Sequence, residues 1–243
     1  MIVLIITAVR VKSMDSHRIS GRILAENIAG PGMMRLVEQS MQAQAQKTSV
    51  TEIAVKEWKH PQAALTFDDG PDIRYTPLLL DGLKERNVRA SFFLLGEKVE
   101  QYPELVERMQ KEGHLVGNHT YHHVQLNKLN ETKAREEILK TNNLIYETTG
   151  VYPLYLRPPF GAWKKNLELC VEMLPVFWTI DTLDWKVQNT EKIVRTVKEQ
   201  IEDGAIILMH DEYDTSVEAA LQVVDELKNQ GYELVTVDQL ILP

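Results

Sequence analysis

The chain has 243 residues, of which 44% are hydrophobic and 26% charged, so it is long enough to bury one large core, and α/β barrels of this size commonly form one domain. A formal net charge of −8 argues against nucleic acid as a partner, because proteins that bind nucleic acid concentrate Lys and Arg on one face. The single cysteine, Cys170, excludes an internal disulfide.

Residues 1–58 are predicted to form an extension that precedes the main domain at residues 59–243. Residues 1–9 are apolar, but a membrane-spanning helix needs about 20 residues, and no basic residue precedes this run. A truncated signal or anchor and a short N-terminal strand both remain open. The following stretch, up to Lys59, is polar and aperiodic, which indicates a tether. Any membrane association is expected only through this N-terminal segment.

After the tether, apolar runs alternate with helical patterns. Helices are predicted to start at Thr76, as N-cap before Pro77, at Pro103, and behind a capping box formed by Thr215 and Glu218. About seven strand–helix units of this kind predict a parallel sheet, either closed into a barrel or open and doubly wound. The predicted strands are residues 63–67, 90–95, 115–117, 154–156, 176–180, 205–209 and 233–237.

Five short polar motifs each follow directly on an apolar run. In parallel sheets functional groups gather beyond the carboxyl ends of the strands, so the motifs are expected to meet in one site. The motifs are TFDDG at residues 66–70, HTYHH at 119–123, RPPFG at 157–161, DTLDW at 181–185 and LMH at 208–210.

The second motif supplies a candidate pair of metal ligands. His119 and His123 are spaced i, i+4, which on a helical turn lets both imidazoles reach one ion. Histidines at this spacing are also common on surfaces, and His122 is a rival to His123. Thr120 stands where a zinc peptidase of the H-E-x-x-H type has glutamate, which disfavours that class.

The first motif supplies two adjacent carboxylates at the end of a buried strand. Asp68 and Asp69 fit a solvated turn before Gly70 and Pro71, but unpaired carboxylates at a buried strand end would be costly. The alternative is a division of work, in which one carboxylate binds metal and the other handles a proton. Two imidazoles and one carboxylate leave a zinc ion with an open position, as in hydrolytic sites.

The remaining motifs supply a cation, a histidine and an apolar wall. Arg157 is predicted to keep one of the two carboxylates ionised. The rigid turn that follows it is expected to present backbone N–H groups to a developing oxyanion. His210 is a candidate acid whose pKa a carboxylate, Asp184 or Asp181, would raise. Trp185 and Leu208 are candidates for walling an acetyl-sized pocket. Side chains considered for stacking on sugar rings are Trp163, Trp178 and Tyr121, with packing favoured for Trp178 because it falls inside a predicted strand.

Residues 62–241 resemble a polysaccharide deacetylase of the NodB-homology type, carbohydrate esterase family 4, because all five motifs are present in order. The resemblance implies a distorted (β/α) barrel of about seven parallel strands, with the active site at the C-terminal ends of the strands. It also implies one divalent metal ion, zinc first, with cobalt, nickel or manganese as alternatives. The roles implied are Asp68 as general base, Arg157 as its partner, Asp69, His119 and His123 as metal ligands, His210 as general acid with Asp184 tuning it, Leu208 and Trp185 as pocket walls, and the turn at Pro159 with the Phe160 N–H as oxyanion donor.

The resemblance predicts removal of N-acetyl groups from N-acetylglucosamine residues of a polysaccharide, peptidoglycan or chitooligosaccharide, with release of acetate. An esterase of O-acetylated xylan with the same machinery and a non-catalytic glycan-binding domain on the same scaffold are the alternatives. Many members of the family have Tyr where this chain has Phe160, which leaves a backbone donor intact. Because cell-wall glycan lies outside the membrane, we expect an extracellular or membrane-anchored location.

Overall fold

The fold is described from a computed structural model that defines residues 60–163 and 173–241. The predicted extension at residues 1–58 and the environment of Cys170 lie outside these ranges. Within them, no helix has both the length and the apolar character that crossing a bilayer requires.

The centre of the described domain is a parallel sheet in the order β5-β4-β3-β2-β1-β7-β6, and β8 pairs only with the start of β1. The expected α/β fold with about seven parallel strands is therefore confirmed. The strands are β1 (Gln62–Asp68), β2 (Ser91–Leu94), β3 (Leu115–Asn118), β4 (Tyr155–Leu156), β5 (Leu174–Pro175), β6 (Ile180–Asp181), β7 (Ala205–His210) and β8 (Glu233–Leu234).

The sheet must be strongly curled. Its two edge strands, β5 and β6, are separated in sequence only by residues 176–179, which span at most about 18 Å when extended. Seven strands in a flat sheet would place these edges about 29 Å apart, at about 4.8 Å per strand. The sheet therefore closes toward a barrel, as the family resemblance implies, and is not the open doubly wound alternative.

The predicted strand at residues 176–180 is wrong for residues 176–179, which form the connection between β5 and β6, and only Ile180 lies in a strand, β6. The Val176 N–H donates to the Leu156 carbonyl of β4 at 2.8 Å, whereas the Thr179 N–H donates to the Ile206 carbonyl of β7 at 2.9 Å. Because the segment changes its hydrogen-bonding neighbour, it cannot run as one strand. Trp178 consequently lies outside any strand, contrary to the prediction.

Two of the predicted helix starts are corrected. Thr76 is the first residue of its helix rather than its N-cap, and its hydroxyl donates to Asp211. Glu218 accepts a hydrogen bond from the Thr190 hydroxyl at 2.9 Å instead of forming a capping box. Pro103 opens its helix as predicted. The helices are α1 (Thr76–Glu85), α2 (Gly96–Gln101), α3 (Pro103–Lys111), α4 (Glu131–Thr149), α5 (Asp184–Val187), α6 (Thr190–Gln200), α7 (Asp214–Asn229) and α8 (Val237–Ile241).

The alternation of side chains along β1 separates the core from the site. Ala63, Leu65 and Phe67 belong to the large apolar core shared with the helices. Ala64 belongs to a smaller cluster with Phe93 of β2. Since residues i, i+2 and i+4 share a face, the polar side chains of Thr66 and Asp68 continue the face of Ala64 toward the carboxyl end of the sheet.

Candidate active site

The in-register pairing of parallel strands brings the motifs together. Asp68 at the end of β1 is opposite His210 at the end of β7, and Asn118 at the end of β3 is opposite Leu156 at the end of β4. His119 and Arg157 are the next residues along the chain from Asn118 and Leu156. Asp184 begins α5 directly after β6. Chemistry-bearing side chains from all five motifs therefore lie at one edge of the sheet.

Asp69, His119 and His123 form a group whose ligand atoms all lie within 4.8 Å of one another. The Nε2 atoms of His119 and His123 are each 3.4 Å from Oδ1 of Asp69. A tetrahedral zinc site with bonds of about 2.0–2.1 Å has ligand atoms about 3.4 Å apart, by tetrahedral geometry. The distances from Asp69 to the two histidines thus match one shared ion.

The donor set of this triad fits a divalent metal chemically as well. The His119 Nδ1–H donates to the Arg157 carbonyl at 2.6 Å, so the lone pair of the ring is on Nε2, the atom near Asp69. Burial lowers the pKa of His119 to about 3, which keeps the ring neutral, as metal binding requires. Within the described residues, Oδ1 of Asp69 is buried without a hydrogen-bond partner, an orphan that a cation would satisfy.

Left-handed backbone at Asp69 explains how two neighbouring aspartates face different groups. Its φ of 69° is in a region that costs a non-glycine residue about 1–2 kcal/mol. Asp68 ends the regular strand and contacts Arg157, whereas Asp69 turns toward the histidines. Thr120 and His123 also have positive φ, of 68° and 55°, so strained backbone is concentrated around the triad.

Asp68 and Arg157 form a buried ion pair, with 2.7 Å between Oδ1 and Nη1. Arg157 is fully buried, its Nη1 also donates to the Thr66 hydroxyl at 2.7 Å, and its guanidinium lies 4.2 Å from the centre of the Phe93 ring. Burial raises the pKa of Asp68 above its ordinary value, while Arg157 opposes that rise. A carboxylate held in one orientation with a raised pKa is suited to accepting a proton.

His210 is held by a buried carboxylate. Oδ1 of Asp184 is 2.8 Å from Nδ1 of His210, and Oδ2 accepts the His210 backbone N–H at 2.8 Å. Burial lowers the pKa of His210, but the Asp184 carboxylate, together with the charges of Asp68 and Asp69, raises this pKa to about 9. The imidazole is therefore protonated at neutral pH, with Nε2 3.8 Å from Oδ2 of Asp69. A proton donor thus stands beside the metal-binding group.

Of the predicted pocket residues, Phe160 contacts a histidine of the triad and Leu208 shares a face with His210. Leu208 is buried on β7 and shares the face of His210, since the two are i, i+2. Trp185 and Phe160 are exposed, and the Phe160 ring centre lies 4.5 Å from that of His123. Pro159 is buried in a turn whose hydrogen bonds use the N–H groups of Gly161 and Ala162, and neither involves the Phe160 N–H.

Some candidates do not face the site. Asp181 accepts the Leu183 N–H at 3.0 Å in an exposed turn, which leaves Asp184 as the partner of His210. Tyr121 is buried and donates its hydroxyl to Glu100, so stacking on a sugar ring is wrong for this side chain. Trp163 packs partly against the cluster of Leu126 and Ile138.

Two residues near the site were missed in the sequence. Asp211, the neighbour of His210, is fully buried with its carboxyl group against Gly70, where even a Cβ atom would collide with it. Glu137 of α4 hydrogen-bonds the loop between His119 and His123. Asp211 could have been identified as a site residue because it is an acid directly after the motif histidine His210. Nothing in the sequence distinguishes Glu137 from the other charged residues of α4.

Comparison with known proteins identifies relatives of this domain. A profile of the polysaccharide deacetylase family matches residues 56–177. Peptidoglycan-N-acetylglucosamine deacetylase PgdA of Listeria monocytogenes is 44% identical over 177 residues, which cover 73% of this chain but 38% of the relative. A peptidoglycan-N-acetylglucosamine deacetylase of Bacillus cereus is 40% identical over 186 residues, covering 74% of this chain and 68% of the relative.

The third relative is PdaC of Bacillus subtilis, named a peptidoglycan-N-acetylmuramic acid deacetylase. Its sequence is 44% identical over 177 residues, covering 73% of this chain and 38% of the relative. Its solved structure has a TM-score of 0.73 and 42% identity, and the match covers 75% of this chain and 91% of that one. This chain therefore spans about two fifths of the length of the PgdA and PdaC relatives.

Proposed function

The chain belongs to the polysaccharide deacetylase family, and on that premise we propose that it is a metal-dependent hydrolase that removes N-acetyl groups from N-acetylglucosamine residues of peptidoglycan or chitooligosaccharide. The products are acetate and a free amino sugar. The observation that carries this proposal is the arrangement of two proton-transfer groups around one metal-binding triad. Asp68 lies 3.7 Å from Nε2 of His119, and Nε2 of His210 lies 3.8 Å from Oδ2 of Asp69.

The metal proposed for the triad is zinc, with cobalt, nickel or manganese as alternatives. Neutral nitrogen ligands with one carboxylate suit zinc and its neighbours better than magnesium or calcium, which prefer oxygen ligands. When bound by Asp69, His119 and His123, such an ion would polarise the acetyl carbonyl and lower the pKa of the attacking water.

Asp68 is the proposed general base. Its carboxylate takes the proton of the attacking water, and the ion pair with Arg157 keeps the acceptor oxygen in one orientation. Without the guanidinium, burial would favour the protonated form of Asp68, which cannot accept a proton.

The opposite proton transfer is assigned to His210. Attack at the carbonyl carbon places negative charge on its oxygen, and the Phe160 N–H is proposed to donate a hydrogen bond to it. Cleavage of the C–N bond then requires a proton on the departing nitrogen, because an amide anion is a poor leaving group. His210 supplies that proton, since Asp184 keeps the imidazole protonated.

The acetyl group is proposed to lie between Leu208 and Trp185. Leu208 presents a buried apolar surface beside His210, and the half-exposed Trp185 offers a second wall that remains accessible from solvent. The exposed rings of Phe160 and Trp185 are the proposed contacts for the glycan chain.

We also propose that the domain works outside the cytoplasmic membrane, at the cell surface or beyond. The support is chemical, since the relatives are named for peptidoglycan, a glycan of the cell wall. Fractionation of cells that produce the native protein tests this. Recovery of the protein only from the cytosol would contradict the location and make peptidoglycan an improbable substrate.

The experiment for the reaction itself is acetate release, measured on peptidoglycan, chitooligosaccharides and acetylated xylan with metal content determined on the same sample. We expect release from the N-acetylated glycans, loss of activity with a chelator, and recovery with zinc or cobalt. Release from xylan alone would favour the esterase. Glycan binding without release would favour the non-catalytic alternative, and full activity of metal-free protein would exclude the proposed mechanism.

A further inference from the structure

The carboxylate of Glu137, on α4, is hydrogen-bonded to the loop between the two histidines of the triad. Its Oε2 accepts the backbone N–H groups of Tyr121 and His122 at 3.0 and 2.9 Å, and its Oε1 lies 2.8 Å from Nδ1 of His122. The Glu137 side chain is 15% exposed. Its bond with the Tyr121 N–H is partly buried, whereas its bonds with the exposed His122 are open to solvent. One carboxylate thus contacts the two residues before His123.

The loop that Glu137 holds has an unfavourable backbone. Thr120 and His123 flank the two residues whose N–H groups Glu137 accepts. Their φ angles are 68° and 55°, in a region that non-glycine residues rarely adopt. Such backbone persists only where surrounding contacts impose it. The Thr120 N–H donates to Oδ1 of Asn118 at 2.6 Å, which supports the first of these positions. The bonds to Glu137 come immediately before the second.

Helix α4 fixes both ends of the loop. Asn142, five residues after Glu137, accepts from Nδ2 of Asn118 at 2.6 Å, and the Ile138 carbonyl accepts from the same nitrogen at 2.9 Å. The residue before His119 is therefore hydrogen-bonded to α4, as is the residue before His123. Helix α4 therefore contacts the loop beside both histidines, although none of its residues belongs to the triad.

The side chain of Tyr121 anchors the same loop through contacts of its own. Its ring is buried, its hydroxyl donates to Glu100, and Nζ of Lys140 lies 3.4 Å from the ring centre. Glu137 and Lys140 are nearly one helical turn apart on α4, so they act on the same stretch of the loop.

We propose that Glu137 is a positioning residue for the metal site: through the backbone of Tyr121 and His122 it sets the separation of His119 and His123. This inference rests on the proposed function, because it assumes that the triad binds an ion. Groups that orient metal ligands without touching the metal typically contribute 10–100-fold to its affinity. Glu137 differs from the usual case because it acts on backbone between two ligands rather than on a ligand ring.

The test is zinc affinity, measured on the 243-residue chain by competition with a chromogenic chelator, together with the absorption spectrum of the cobalt form. Glu137→Ala is expected to bind zinc about 10–100-fold more weakly and to shift the cobalt bands, since both histidines lose their fixed separation. Glu137→Gln retains an oxygen that can accept both N–H groups, so it is expected to restore most of the affinity. Glu136→Ala, an exposed neighbour on the same helix, is the matched control and should behave as wild type.

Two further variants separate the routes of action. His122→Ala removes the side-chain contacts with Glu137 and with the Tyr121 ring but keeps the backbone N–H that Glu137 accepts, so it should retain most of the zinc. His123→Ala should abolish retention. An equal loss in His122→Ala and Glu137→Ala would overturn the backbone route. If Glu137→Ala does not fold, Glu137→Asp, which is too short by one methylene, decides the question and is expected to weaken zinc binding.

Failure of this inference is distinguishable from failure of the proposed function. Wild-type affinity and an unchanged cobalt spectrum in Glu137→Ala, with zinc bound by the wild type, would overturn the role of Glu137 alone. A wild-type chain that binds no zinc or cobalt would overturn both.

Discussion

Asp184 binds His210 at two points, with one carboxylate oxygen 2.8 Å from Nδ1 of the ring and the other accepting the backbone N–H at 2.8 Å. The two residues are 26 positions apart, and the contact joins the start of α5 to the end of β7. It fixes the ring orientation and raises the pKa of His210 to about 9. The histidine can therefore serve as an acid in neutral solution.

The first prediction is that Asp184→Asn moves the basic limb of the pH–rate profile to lower pH. A general acid must be protonated, so activity is retained below the pKa of His210, which lies above its ordinary value, and is lost as pH rises through that pKa. The Asp184 carboxylate is the largest of the influences that raise the pKa of His210. Replacing it with the neutral amide of Asn should therefore lower this pKa and move the basic limb to lower pH. Asp181→Asn, in the exposed turn, is the control and should leave the profile unchanged.

The second prediction separates the adjacent aspartates. Asp69→Asn should lose metal and activity together, because an amide is a poorer ligand for a divalent cation than a carboxylate. Asp68→Asn should retain metal but lose about 10²–10⁴-fold in kcat, roughly 3–5 kcal/mol of barrier. Metal analysis and turnover on the same preparations check this. If Asp68→Asn loses the ion and Asp69→Asn keeps it, the roles are exchanged.

The third prediction concerns the stability of the buried pair. Arg157→Met leaves Asp68 as an unpaired buried carboxylate, and loss of one partner from such a pair typically lowers the free energy of unfolding by about 3–5 kcal/mol. Adding Asp68→Asn removes the stranded charge, so the double variant should regain part of the stability without regaining activity.

Denaturant unfolding measures the size of these effects. The control is Lys111→Ala, which breaks an exposed i, i+4 ion pair with Glu107 and is expected to cost at most about 1 kcal/mol. An Arg157→Met loss no larger than that of the control would show that the pair is not the structural element its burial implies.

The fourth prediction concerns Asp211. Burial raises the pKa of this carboxyl from 3.8 to about 7 in the folded chain, so between these values the folded state holds a proton that the unfolded state releases. Stability from this group therefore falls as pH rises from about 4 to about 7. Asp211→Asn cannot lose such a proton. The midpoint of thermal unfolding of the wild type should therefore fall relative to that of Asp211→Asn as pH is raised from about 4 to about 7. Parallel curves for the two proteins from pH 4 to pH 8 would contradict the raised pKa.

Much of the fold could be predicted from local patterns. A run such as residues 63–67 is apolar enough to indicate a buried strand, and Pro103 marks the start of its helix because proline fits the first turn. The segment at residues 176–180 could not be assigned in this way. Its apolar residues suit a strand, but its hydrogen bonds go to β4 at one end and β7 at the other, a division that exists only once the sheet has curled.

The sequence by itself determined which chemical groups this domain carries and in what order, because residue type and strand ends are local properties of the chain. The local pattern of residues left their partners open; the family resemblance implied several of them, and the tertiary structure decided them. Asp184 rather than Asp181 contacts His210, and Asp69 rather than Asp68 lies close to both His119 and His123. Glu137 hydrogen-bonds the loop between these histidines. These choices depend on which strand ends become neighbours and on backbone turned to positive φ at Asp69, and both follow from packing between segments that are distant in the sequence.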